Sequence, residues 1–127
     1  MIDERWAREF AQEWVAAWNA HDLARILSHY SDDFEMSSPY IVERMQQPSG
    51  KLTGKERVGA YWQKGLEAQP PLKFELIDLL VGVETITLYY RSVGRRMACE
   101  VLFFNAERAV VRGIAHYGPG KQLIKGV

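Results

Sequence analysis

One glutamate stands inside an otherwise apolar run, "MACEVLFF" at residues 97–104, and it is the residue of this chain best placed to do chemistry. A carboxylate taken out of water is costly unless it is paired or protonated. Glu100 therefore reads in two ways. It is a desolvated acid or base with a raised pKa, or it is a buried carboxylate satisfied by Tyr89, Arg91 or a tryptophan N–H. Around it, Trp14, Trp18, Tyr30, Tyr61 and Trp62 could wall a cavity for a flat apolar ligand, although aromatic stripes at helical spacing also simply fill cores. Ser38 and Tyr40 fall where a pocket mouth is expected. The adjacent pair Asp32 and Asp33 points in diverging directions and reads as a turn cap. Cys99 and His116 fall on one face of neighbouring strands. Two such pairs about a dimer axis would give four zinc-type ligands, against the plainer reading of a thiol packed in an interface. There is no Cys-x-x-Cys, glycine-rich phosphate loop or Gly-x-Ser-x-Gly motif, and neither a metal nor another cofactor is expected.

These residues sit in a chain of 127, with 47% hydrophobic and 25% charged residues, enough for one globular domain. Sixteen basic and sixteen acidic residues give a formal charge of zero, which argues against nucleic acid or an anionic membrane as the main partner. Charge is uneven, with Arg91, Arg95, Arg96, Arg108 and Arg112 toward the end, a solvated hairpin or a weak anion-steering surface. A single cysteine excludes an internal disulfide and, with no apolar signal core and no membrane-length run, fits a cytoplasmic protein.

The elements follow from periodicity. Trp6, Phe10, Trp14 and Trp18 recur every four residues, so 3–20 reads as an amphipathic helix. "NAHD" breaks it, and Asp22 caps a short helix from Leu23 to about Tyr30. A strand near Phe34–Ser38 ends at Pro39, and a loop follows. Thr53 and Glu56 have capping-box spacing for a third helix, which Pro70 and Pro71 stop. Strands near 73–81, 84–93, 96–104 and 109–117 complete an α+β fold with an antiparallel meander.

If Gly94 and Arg95 form a two-residue turn, Tyr89 pairs with Glu100, Arg91 with Ala98 and Thr87 with Leu102. One sheet face then carries Tyr89, Arg91, Glu100, Leu102, Phe104 and Tyr117, and faces the helices and a cavity. The other carries Leu88, Tyr90, Met97, Cys99, Val101, Phe103, Arg112, Ile114 and His116. It is apolar enough to need covering, and a second copy of the chain is the expected cover, sheet against sheet.

The segment "WVAAWNAHDLARILSHYSDDFEMSSP" resembles the opening of a SnoaL-like, nuclear transport factor 2-like domain, where a long helix, an N-x-x-D break, a short helix and a Y-x-D-D motif lead into the first strand. "SGKLTGKERVGAYW" is similar to that family's G-x-x-x-G approach to helix three, and "EVLFFNAERAVVRGIAHYG" to its final hairpin. The likeness covers essentially residues 5–118 and leaves 119–127 as a tail of a single domain, 1–127. It implies a cone-shaped α+β fold, a curved antiparallel sheet wrapped around helices, usually dimeric through the sheet and with a pocket between helices and sheet. Members include ketosteroid isomerases, polyketide cyclases, dehydratases, epoxide hydrolases and non-catalytic adaptors, so the fold alone assigns no activity.

Against the ketosteroid isomerases, the helix-one oxyanion donor falls on Trp14, the general-base aspartate on Ser38 and the protonated aspartate on Glu100. An indole N–H donates a hydrogen bond but delivers no proton, and a serine is not that base, so only the last position keeps a carboxyl. The cyclases and dehydratases pair a pocket histidine with an aspartate. Here His21, His29 and His116 fall in a loop, at a helix end and on the outward face. Two expectations stand: a metal-independent lyase or isomerase with Glu100 as acid/base and Tyr89 and Trp14 as donors, or a non-catalytic domain binding a small apolar or aromatic ligand.

Overall fold

In the computed structural model, which describes residues 1–119, the first helix, α1, runs Glu4–Asn19. Asp3 caps it by accepting from the Trp6 N–H, and Ala7, Phe10, Ala11, Trp14, Ala17 and Trp18 form the buried stripe that the period demands. The expected tail beyond Pro119 lies outside the described residues.

Asp22 accepts from the Arg25 N–H at 3.1 Å and caps α2, Leu23–Leu27. This helix is shorter than its apolar pattern suggested because Tyr30 already opens strand β1, Tyr30–Ser37. Pro39 ends β1, as expected, but it also starts a helix. Ser38 caps α3, Pro39–Arg44, with proline at the first helical position where a missing N–H costs nothing. The segment expected as a loop thus holds α3 and a short strand β2, Lys51–Thr53.

The capping box at Thr53 and Glu56 does not form. Thr53 is committed to the β1–β2 ladder opposite Glu35, and Gly54, at φ 95°, makes the turn into α4, Lys55–Glu67, with no side-chain cap. Strands β3 (Glu75–Val81), β4 (Thr85–Arg91), β5 (Met97–Phe104) and β6 (Val110–Tyr117) follow.

The six strands form one sheet in the order β2-β1-β6-β5-β4-β3. Its pairs are antiparallel except β1 with β6, which is parallel. The sheet is curved and unclosed. Its inner side holds the helices and the core, with Ile86, Leu88, Leu102 and Val110 each at 1% exposure or less.

The β4–β5 connection corrects the sequence reading. It spans five residues, Ser92–Arg96, closed by Ser92 N–H donating to the Arg96 carbonyl at 2.7 Å, with Gly94 and Arg95 both at positive φ. One more residue in the loop than a same-parity turn allows shifts the register by one. Leu88, not Tyr89, stands opposite Glu100, and Tyr90, not Arg91, stands opposite Ala98. Because side chains alternate, the whole strand turns over. Leu88 and Tyr90, expected at a dimer interface, are buried inside at 0% and 1%. Tyr89 and Arg91, expected beside the cavity, face outward, Tyr89 at 41% exposure and Arg91 paired with Glu75 at 3.0 Å. A bulge between Phe103 and Phe104 similarly puts Val110 inside and Val111 outside, while Gly113 and Ala115 stay inward.

Candidate functional site

Strands β4, β5 and β6 bring Tyr90, Glu100 and Tyr117 to one inner surface, facing Trp18 of α1 and Tyr61 and Trp62 of α4. Between them lies a cavity of about 250 Å³, smaller than the roughly 300–1,000 Å³ of sites for drug-sized ligands. Met36, Leu72 and Phe74 add to its apolar lining, and Tyr40, Arg44 and Arg96 also border it.

Glu100 is the acidic side chain of this lining, 4% exposed. Its neighbours across the ladder are Leu88 and Ala115, which offer no hydrogen bond. Burial alone pushes its carboxyl up to about 8. Its Oε2 is buried without a hydrogen-bond partner, and so is Nε1 of Trp18; these are the only such side-chain atoms among the described residues. Both belong to residues that line the cavity. Buried polar groups are normally satisfied within the protein or by water, so two orphans on facing sides of one cavity leave hydrogen-bonding capacity for a partner from outside the chain, water or ligand.

Phenols surround the carboxyl. Burial first, and then the charge Glu100 would carry, hold Tyr30, Tyr61, Tyr90 and Tyr117 above the ordinary tyrosine range. All four are therefore neutral O–H groups at any working pH. Tyr61 donates to Ser38 Oγ at 3.0 Å, an oxygen that also accepts from the Tyr40 N–H at 3.2 Å.

The structure places the sequence-derived candidates unevenly. Trp18, Tyr61, Trp62, Glu100 and Tyr117 border the cavity. Trp14 and Tyr30 are instead spent on each other, Nε1 donating to Oη at 3.1 Å in the core. Ser38 is buried at 4% as a helix cap and tyrosine acceptor rather than on the cavity wall. Leu102 and Phe104 are core residues, Phe104 set edge-on against Trp6 and Phe10. Met97, Cys99, Val101, Phe103, Arg112, Ile114 and His116 lie on the outward face. Cys99 and His116 are direct ladder partners there, and among the described residues no group of three His, Cys, Asp or Glu is placed to hold a metal ion.

Sequence reasoning missed Tyr90, Arg44, Arg96 and the unpaired Trp18 N–H. Tyr90 would have followed from a five-residue turn. Arg44 needed α3, whose only signal is the Ser38-Pro39 cap.

A protein-family model described as a SnoaL-like domain matches residues 11–118. Among solved structures, a SnoaL-like protein of unknown function from Burkholderia thailandensis is 51% identical, with a TM-score of 0.89, covering 92% of this chain and 98% of that one. An NTF2-like protein of unknown function from Cytophaga hutchinsonii is 14% identical, with a TM-score of 0.68, covering 89% and 90%. A protein with a cystatin-like fold from Methylobium petroleophilum is also 14% identical, with a TM-score of 0.71, covering 98% and 82%. No curated protein matches the chain. Among the described residues no helix is long and apolar enough to cross a membrane.

Proposed function

We propose, for a chain that belongs to the SnoaL-like domain family, that the cavity beside Glu100 is an active site for proton transfer on a compact carbonyl compound. The observation that carries this is the pair of unpartnered buried atoms, Glu100 Oε2 and Trp18 Nε1, on one cavity lining. A carbonyl oxygen accepts from both when Glu100 is protonated, which with a pKa of about 8 is its main form at pH 7. The roughly one molecule in ten that is ionised carries a base strong enough to take a proton from the carbon next to that carbonyl. The C–H electrons pass into the enolate, whose oxygen the neutral phenols and the indole N–H stabilise. Return of the same proton to a different carbon completes an isomerisation; loss of a β-leaving group completes an elimination. Tyr89 and Trp14 drop out of the donor set. Tyr90, Tyr117 and Trp18 take their place.

A second reading is favoured by one feature: among the described residues the lining holds no histidine and no carboxyl side chain besides Glu100, so they offer a single group that titrates near neutrality. On that reading the site binds the same compounds and changes nothing. Glu100→Gln separates the two, because the amide still donates a hydrogen bond but carries no proton to transfer. Unchanged turnover of an identified substrate in this variant sinks the catalytic reading; affinity alone changing, with no substrate consumed by the wild type, establishes the second.

The outward sheet face is proposed to meet a second copy of the chain. Val101 and Ile114 are directly paired there, Tyr89 and Cys99 are partners in the next row, and Leu80 is 60% exposed at the sheet margin. Such a contiguous apolar surface suits association better than open solvent.

A further inference from the structure

The cavity border has a chemistry unlike its floor. Arg44, at the end of α3, and Arg96, just before β5, both line it, and neither has a carboxylate within 4.0 Å among the described residues; Arg57 and Arg95 have none either but lie off the cavity, whereas Arg5, Arg8, Arg25, Arg91, Arg108 and Arg112 are all paired. The two are gathered by Tyr40. The Arg44 guanidinium carbon lies 4.5 Å from its ring centre, Arg96 lies 5.8 Å away, and Arg96 Nη1 donates to its hydroxyl. Tyr40 is itself fixed against Tyr117, ring centres 4.6 Å apart.

Arg96 Nε donates to the Gly118 carbonyl at 3.0 Å, one residue past β6, so this guanidinium is braced by that backbone and by Tyr40 of α3 at once, with Nη2 outside those bonds. Arg44 is exposed, and its charge already acts on Tyr61 inside the cavity. A braced guanidinium fork beside an exposed one stacked on the same ring is suited to grip a planar anion. The interior, by contrast, is walled by aromatic rings and rejects charge.

We infer that the ligand of this cavity is an amphipathic organic acid, its carboxylate held by Arg44 and Arg96 and its apolar body lodged among Trp18, Trp62 and Phe74 toward Glu100. The inference rests on the cavity being a ligand site, as proposed above, but not on Glu100 performing catalysis. It narrows the substrate class from carbonyl compounds in general to those carrying an acid group at the end remote from the reacting carbon. The single negative charge of the ligand sits at the border, where solvent and the two cations offset it, and the neutral form of Glu100 avoids a like charge within.

The test uses 4-phenylbutyrate and its amide, 4-phenylbutyramide, titrated into the full-length protein and followed by tryptophan fluorescence, with calorimetry as a check. The expected result is binding of the carboxylate at least tenfold tighter than the amide in the wild type. In the Arg44→Gln and Arg96→Gln single variants that preference should fall severalfold, and in the double variant to within about twofold. Arg44 is exposed, so its single variant tests the claim without disturbing the brace at Gly118, and thermal melts verify that both variants fold. Equal binding of acid and amide by the wild type overturns the inference. So does a preference that survives in the double variant, or a carboxylate that does not bind at all. Glu100→Gln keeps the two proposals apart: it should leave the acid-over-amide preference intact even where turnover is lost, and unchanged turnover would remove the catalytic reading while leaving the arginine subsite standing.

Discussion

Leu88 stands directly opposite Glu100 across the β4–β5 ladder, and Ala115 stands opposite it on the other side. Both flanking side chains are apolar and buried. The carboxyl therefore has no polar side chain directly across either ladder, and burial pushes it up to about 8 rather than leaving it an ordinary carboxylate.

This has a measurable effect on stability. From the ordinary glutamate value of 4.5 up to about 8, the folded chain keeps a proton that the unfolded chain has released. The folded state then binds more protons, and stability falls as pH rises through that window. Below it both states are protonated and the contribution is flat; above it both are ionised and the penalty is complete. The facing phenols of Tyr30, Tyr61, Tyr90 and Tyr117 are held above the ordinary tyrosine range and stay neutral throughout, so none of them adds to the slope. Urea unfolding should show a decline on the order of a few kcal/mol across the window at about 1.4 kcal/mol per pKa unit. Glu100→Gln should lack that decline, and parallel pH curves for the two proteins would contradict the buried-acid assignment.

The Trp18 indole supplies the second unpaired atom. Trp18→Phe retains most of the ring that packs on Trp62 at 5.1 Å and Phe74 at 5.5 Å but removes the N–H. A buried donor left without a partner is itself destabilising by about 1–3 kcal/mol, which offsets much of the cavity the smaller ring leaves. Thermal stability should drop only modestly, while affinity for a carbonyl ligand should fall by roughly tenfold, the worth of one hydrogen bond in a dry site. Ligand titration of the wild type and variant measures it, and equal affinities would take Trp18 out of the site.

The β4 register predicts opposite outcomes for adjacent tyrosines. Tyr90 is 1% exposed, with its ring 5.3 Å from Trp14 and 4.6 Å from Phe74. Tyr90→Ala should cost about 3–5 kcal/mol, the range for a large buried aromatic. Tyr89→Ala, made in a Val101→Glu background to keep the chain monomeric, should cost less than about 1 kcal/mol. Denaturant midpoints decide it, and the reverse ranking would restore the register with Tyr89 opposite Glu100.

That register also marks where the sequence stops being legible. The inward set Ala98, Glu100, Leu102 and Phe104 follows from alternation within one strand, a local property, and the structure has it. The faces of β4 depend on the length of a loop containing Gly94 and Arg95, both at positive φ. A glycine-led pair reads equally as a two-residue turn or as the centre of a longer one. One residue of difference exchanged Tyr89 for Tyr90 and Arg91 for Leu88. The fates of Trp14 and Trp18 were equally out of reach. They lie one helical turn apart on the same buried stripe, yet Tyr30 satisfies one indole and, among the described residues, nothing satisfies the other. Such bonding depends on contacts across 16 residues and more, which no local pattern encodes.

The outward face gives a test of assembly. Val101 sits between Thr87 and Ile114 in one row of the sheet, and Phe103 sits between Thr85 and Arg112 in the next. Arg112 lies 5.3 Å from the Phe103 ring and 3.5 Å from Glu35. Val101→Glu places a carboxylate at the centre of this surface, and a self-associating pair would bury it twice. Sedimentation should report a dimer for the wild type and a monomer for Val101→Glu and Phe103→Glu, with circular dichroism unchanged. A wild type that sediments as a monomer removes the interface.

Glu13 gives an acid-side slope that can be separated from that of Glu100. Arg25 grips it through Nε at 2.8 Å and Nη2 at 2.7 Å, and His29 lies 3.2 Å away, tying α1 to α2 and to the start of β1. The hydrogen bond from Arg25 is the main cause that lowers its carboxyl to about 2. Its folded pKa is depressed, so its stabilisation is present above the ordinary glutamate value of 4.5 and is lost as pH falls through about 2. The side chain is 37% exposed, and solvent screening keeps the effect small. Glu13→Gln should flatten the acid limb of the stability curve and leave the decline between about 4.5 and 8 untouched, whereas Glu100→Gln should do the reverse. The two carboxyls sit on separate elements and share no partner, so the double variant should sum the two effects. If instead Glu13→Gln also abolishes the neutral-to-alkaline decline, that decline comes from the coupling of α1 to the sheet, and not from the acid enclosed beneath it.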